Sequence, residues 1–271
     1  MHRLSFALLA LGSAFAHVAG AAVPCPPTAL SVDGSPAETV PCVAPTPPNE
    51  GGGVRDGELF STDFTSGTLS SLMSSVWGER PPTIVADDTA TGGRSLRFDW
   101  DPGYENYNGV FKRISGTHKK LHVRLRMKQG PGGTNRGIQK IIRFRPQISG
   151  QERAAGTVNF QWGQILFAGD DFGDRNNHVQ SDTEAYGPDT FVNRWRWLEA
   201  MLDYSNPSVQ HIAIWVDGHK VLDEKIRLSS PMPSSLNMNG VMIFGTFNAP
   251  ATDRMDYIDK IDISANYMGV P

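Results

Sequence analysis

Leu121-His122-Val123-Arg124-Leu125-Arg126-Met127-Lys128 is the stretch that decides the fold class, because its apolar residues alternate strictly with basic or polar ones. A period of two places i, i+2 and i+4 on one face, so the segment reads as a half-buried strand with Leu121, Val123, Leu125 and Met127 inward. The same period returns in Val158, Phe160 and Trp162 against Asn159 and Gln161, and in Leu198, Ala200 and Leu202 against Trp197, Glu199 and Asp203. It returns again in Ile212, Ile214 and Val216 against His211, Ala213 and Trp215. Turn signals separate these runs: Gly130-Pro131-Gly132-Gly133, Ser205-Asn206-Pro207, Asp217-Gly218, and Ser229 to Ser235 with two prolines. No helical period is sustained and no tandem repeat occurs. The pattern predicts one all-β domain over 58–271, an antiparallel β-sandwich of jelly-roll type.

Charge is unevenly distributed. The 271 residues carry 25 Lys+Arg and 28 Asp+Glu, a net charge of -3, and 39% are hydrophobic, which is enough for a packed core and excludes global disorder. Between Lys112 and Arg153, however, twelve basic residues meet a single acid, Glu152, which leaves 13 basic and 27 acidic residues for the rest of the chain. A local excess of this size implies an anionic partner.

The N-terminus, with Met1-His2-Arg3, an apolar run from Leu4 to Ala16 and small residues to Ala22, has the form of a secretory signal peptide over 1–22. A secreted or periplasmic protein without a transmembrane segment follows. Segment 23–57 is rich in Pro and Gly and reads as a linker, with Cys25 and Cys42 expected to form a disulfide in an oxidising compartment rather than a metal or thiol pair. Secretion and the lack of any nucleic-acid motif argue against a nucleic-acid partner for the basic block. A monomer is expected.

Four later stretches carry a family resemblance: Trp195-Arg196-Trp197-Leu198-Glu199, Ile212-Ala213-Ile214-Trp215-Val216-Asp217-Gly218, Phe244-Gly245-Thr246-Phe247, and Tyr257-Ile258-Asp259-Lys260-Ile261-Asp262-Ile263-Ser264. Together they resemble the second half of a concanavalin A-like lectin/glucanase domain, and Gly92 to Phe98 and Asn135 to Ile142 resemble its earlier strands. The resemblance covers about residues 58 to 265 and implies a jelly roll with a concave, polysaccharide-sized groove. It does not choose an activity, because lectins, hydrolases, lyases and adhesion modules share the fold. Structural calcium is frequent in that superfamily, and the acidic loop Gly169 to His178 is the place for it, although a solvated loop is the simpler reading. No cofactor is required.

Alternation then selects residues that could face a groove: Gln139, Arg143 and Arg145 from one strand, Asn159 and Gln161 from another, and Trp197, Glu199, His211 and Trp215 from a third and fourth. Amides bond sugar hydroxyls, indoles stack on pyranose faces, and guanidinium groups pair with carboxylates. A retaining glycosidase of family 16 type needs paired carboxylates in a pattern like E-x-D-x-x-E, and none is present, so that chemistry is disfavoured. A polysaccharide lyase needs a group to neutralise a uronate carboxylate, a base, and an acid for the leaving oxygen. Arg143 suits the first role. His211, or His178, suits the second, and Tyr186, or Tyr204, the third, while Arg145, Gln139, Asn159, Gln161, Trp197 and Glu199 contact substrate. The expectation is a secreted protein that binds an acidic polysaccharide, with β-elimination as its chemistry if it is an enzyme. The alternative is a noncatalytic lectin-like module or an envelope adhesion protein.

Overall fold

A computed structural model of the chain describes residues 56–102, 105–131, 138–161, 163–169, 178–180, 186–244, 247–248 and 253–270; at 105–106, 178–180 and 247–248 only the backbone is described. The expected signal peptide over 1–22, both cysteines with their expected disulfide, Trp162 and most of the acidic loop after Gly169 lie outside these residues. The chain divides into two units, Met1–Pro47 and Pro48–Pro271, and every described residue belongs to the second.

Its strands pair antiparallel into two large sheets. Sheet A contains β1 (Glu58–Thr62), β3 (Thr83–Ala86), β4 (Arg94–Trp100), β7 (Lys120–Gln129), β14 (Arg196–Asp203), β15 (Val209–Val216), β16 (His219–Arg227) and β19 (Arg254–Ser264), in the order β16-β15-β14-β7-β19-β4-β3 with β1 also on β19. Sheet B contains β2 (Ser75–Gly78), β5 (Glu105–Asn106), β6 (Asn108–Arg113), β8 (Gln139–Phe144), β11 (Gly156–Gln161), β12 (Gln164–Gly169), β13 (His178–Gln180), β17 (Gly240–Ile243) and β18 (Phe247–Asn248). Its main order is β13-β12-β11-β8-β17-β6-β2, with β18 joined to β5 and β8. A small hairpin, β9 (Gln147–Ile148) with β10 (Gln151–Glu152), follows β8.

The predicted alternation is what builds the core. Leu121, Val123, Leu125 and Met127 of sheet A share one buried cluster with Ile142, Phe144, Val158 and Phe160 of sheet B. Full burial of such a side chain contributes about 1.5–3 kcal/mol. At one end Phe244 packs on Phe98 at 4.4 Å and Trp100 at 5.5 Å, joining the layers through aromatic contacts. Asp217 and Gly218 take φ of 48° and 79°, as a two-residue hairpin between β15 and β16 requires. β16 forms an edge of sheet A, exposed at Lys220, Asp223, Glu224, Lys225 and Arg227.

Two bulges change which residues face outward. On β19 the register shifts between Ile258 and Lys260, so Ile258, Ile261 and Ile263 all reach the core. On β8 the register against β11 runs from Val158 opposite Ile142 to Asn159 opposite Lys140, skipping Ile141. That bulge reverses the expected orientation of Gln139. Gln139 is opposite Phe160, points into the sandwich and is buried in a polar cluster, where its Nε2 donates to Asp256, its Oε1 accepts from Gln129 Nε2 at 2.9 Å and from Arg254 at 3.0 Å. Trp100 Nε1 donates to Asp256 in the same cluster.

Candidate functional site

The outward face of sheet A is densely self-paired. Along β7 the side chains opposite the core are His122, Arg124, Arg126 and Lys128, and each has partners on neighbouring elements. His122 Nδ1 lies 2.9 Å from Glu199 Oε1, Arg124 Nη2 donates to Asp262 Oδ2 at 2.5 Å, Arg126 pairs with Asp259, and Lys128 Nζ is 3.4 Å from Asp87. Burial raises the pKa of Asp259 despite the bonds from Thr91 and Arg126. The last residues cross this face: Ala265 N–H donates to Gly57 O at 2.9 Å, Met268 N–H to Glu199 Oε1 at 3.0 Å, and Arg124 Nη1 to Gly269 O. Tyr267 lies 4.8 Å from the Trp215 ring, and Trp197 lies over the Arg124 guanidinium at 4.6 Å.

These contacts correct several expectations. Trp197, Glu199 and Trp215 are outward on sheet A, but they stack on or bond to this internal network instead of lining an open groove. His211 is also on this face, with Nε2 2.8 Å from Asp223 Oδ1 on the adjacent edge strand. Tyr186 stacks on His219 at 5.0 Å, and His219 pairs with Val216, five residues along β15 from His211 or about 16 Å at ~3.3 Å per residue. Tyr204 is sealed inside, its hydroxyl 2.5 Å from Gln210 Nε2, and burial drives its phenol pKa upward. Arg143 belongs to the other sheet. His211, Tyr186 and Arg143 therefore form no single site, because alternation tells which side of a strand a residue takes but not which sheet the strand joins.

Sheet B presents a different outward face. Register aligns Ser75, Phe111, Met242, Arg143, Thr157, Ala168 and position 178 in one row across the strands. A neighbouring row runs through Lys140, Asn159, Leu166 and position 180, with Gln161 and Gln164 paired beyond it. Arg143, Asn159 and Gln161 are thus together, as the sequence suggested, and Lys140 takes the place assigned to Gln139. His178 occupies the same row as Arg143, three strands away. Arg145 follows on the same side but is tied to Glu152 at 2.9 Å, an acid it shares with Arg113 at 2.6 Å.

The sequence reading missed the aromatic part of this face. Trp77 is paired opposite Gly109, and a Cβ on Gly109 would overlap the indole; a Cβ on Gly240 would meet the Phe111 ring. Both rings therefore lie against glycine backbone, half-buried and turned along the sheet. Glycine inside a strand is the signal that marks such close approach. Thr157, Asn159 and Leu166 are 1%, 5% and 4% exposed although they point away from the core, so the centre of this face is shielded from solvent. Within it Asn159 Oδ1 is buried without a hydrogen-bond partner, while its Nδ2 reaches only Thr157 O at 3.4 Å. A buried acceptor left unpaired costs about 1–3 kcal/mol. No acid stands in either row.

No family model matches the chain, and no curated protein matches it. Solved structures do. An endo-β-1,4-glucuronan lyase from the fungus Trichoderma reesei superposes with a TM-score of 0.58 at 14% identity, over 79% of this chain and 98% of that one. The cellulose induced protein Cip1 gives 0.54 at 13% identity over 78% and 100%, and alginate lyase vAL-1 from Chlorella virus gives 0.52 at 11% over 70% and 90%. The architecture is an antiparallel β-sandwich of jelly-roll type, the fold that the resemblance implied. At these identities the fold is what the chains share, and the chemistry has to come from the site.

Proposed function

We propose that this is a carbohydrate-active protein that takes an acidic polysaccharide across the outward face of sheet B and cleaves it by β-elimination. The reading is carried by the outward row that holds Arg143, with Lys140 and Asn159 in the neighbouring row and no acid in either. Arg143 neutralises the uronate carboxylate and Asn159 donates to it through Nδ2, which acidifies the neighbouring carbon. A base then takes the C5 proton, the C4–O bond breaks, the electron pair forms the C4–C5 double bond, and the leaving oxygen takes a proton. Trp77 and Phe111 offer ring faces to sugars further along the same face. The lyases of like fold, one acting on glucuronan and one on alginate by their descriptions, support this reading.

A second reading, binding without cleavage, rests on a specific observation: no described side chain paired into these rows is a His or Tyr. Incubation with glucuronan and with alginate, followed by ultraviolet absorbance of the unsaturated product and by calorimetric binding, separates the two. Absorbance that rises for wild type and is abolished in R143A supports the lyase. Binding with no absorbance supports the module, and neither signal overturns both readings.

A further inference from the structure

A recess lies on the outward face of sheet A. It has a volume of about 640 Å³ and is lined by residues including Asp87, Asp88, Arg97, Lys128, Asn193 and Tyr257. That size falls in the range of about 300–1,000 Å³ usual for small-ligand pockets. Its floor is set by register: Lys128 of β7 is opposite Tyr257 of β19, which is opposite Arg97 of β4, so all three stand side by side on the outward face of sheet A.

The charges of this recess cancel locally. Lys128 Nζ donates to Thr89 Oγ1 at 2.8 Å, lies 3.4 Å from Asp87, and sits over the rings of Trp195 at 4.6 Å and Tyr257 at 4.9 Å. Arg97 Nε is 3.2 Å from Asp99 Oδ1 but makes no aligned hydrogen bond, although it is sealed from solvent. Asp88 and Asn193 are exposed at the rim, Asn193 held at a φ of 55°. An anionic sugar would find each cation here already matched by a carboxylate. A neutral sugar finds an acceptor in the exposed Asp88, an amide in the exposed Asn193, and apolar surface in Tyr257, Val85 and Pro131.

We infer that this recess is a second glycan site, specific for a neutral saccharide, on the face opposite the one that takes the acidic chain. The sandwich core separates the two faces, so both can be occupied at once, and a protein holding two glycans gains avidity wherever both occur together. The inference does not depend on the lyase reading, because it uses none of the residues of sheet B.

The test is titration with cellohexaose, xylohexaose and mannohexaose by calorimetry and by NMR of labelled protein. At least one should bind wild type, weaken tenfold or more in Y257A and D88A, and bind R143A unchanged. Asp88 is exposed, so D88A keeps the test valid if Y257A fails to fold. The inference is overturned if none of the three binds at millimolar concentration, or if binding falls in R143A and persists in D88A and Y257A. Loss of uronate-polymer binding in R143A alone would bear on the proposed function and leave this site standing.

Discussion

Arg124 and Asp262 meet across β7 and β19 on the outward face of sheet A, with Nε at 3.0 Å and Nη2 at 2.5 Å from the same carboxylate oxygen. Arg124 is 1% exposed, so its charge is fully committed to this partner, to Ser61-bound Asp262 as a unit, and to the carbonyls of the last residues. The basic block seen in the sequence is thus largely matched on this side.

Removing one member leaves a buried charge uncompensated. D262A should lower stability by about 3–5 kcal/mol, measured by urea unfolding, while the apolar pair R124M/D262L should recover most of that loss. If D262A unfolds at the wild-type midpoint, the pair is not the buried unit described.

The two outward faces should respond differently to loss of a cation. R143A should weaken binding of a uronate polymer tenfold or more and reduce its salt dependence, whereas H211A should leave both unchanged because His211 pairs with Asp223 at the far edge of sheet A. Equal effects of the two substitutions in calorimetric titrations at two salt concentrations would contradict this assignment.

The two glycines under the aromatic rings separate shape from stability. A Cβ at Gly240 would meet the Arg145 carbonyl as well as the Phe111 ring, and the backbone cannot yield. G240A should therefore cost about 1–3 kcal/mol or more. A Cβ at Gly109 meets chiefly the half-buried Trp77 ring, which can tilt away, so G109A should cost less in a thermal melt yet change the intrinsic fluorescence of that indole.

Acid stability carries a local signature. The Thr65 hydroxyl donates to Asp63 Oδ1 at 2.6 Å, and its N–H at 3.1 Å, which hold the Asp63 carboxyl below its ordinary value of 3.8. A depressed carboxyl contributes stability that is present above 3.8 and lost as pH falls through the folded-state value. T65A should move the Asp63 titration upward, read by carboxyl NMR, and bring the onset of acid unfolding to slightly higher pH. An unshifted Asp63 titration would rule out control by the hydroxyl.

The fold was legible in the sequence because alternation is a local property. Leu121 to Met127, Ile212 to Val216 and the Asp217-Gly218 turn stand where their pattern put them. The site was legible only in part. Arg143, Asn159 and Gln161 share a face as expected, but the single extra residue Ile141 turned Gln139 inward and brought Lys140 out, and no composition rule marks such a bulge. Trp197, Glu199 and His211 read as groove residues because they alternate correctly, yet strand order assigned them to the other sheet. That order follows from contacts between residues far apart in the chain, and Trp77 with Phe111 escaped notice for the same reason.

The edge strand β16 carries a last consequence. A second copy of the sandwich offering a strand to this border would have to strip water from Lys220, Asp223, Glu224, Lys225 and Arg227 before any ladder could form. Charge placed there makes the sheet a closed boundary, so a β-sandwich resists polymerising through this edge.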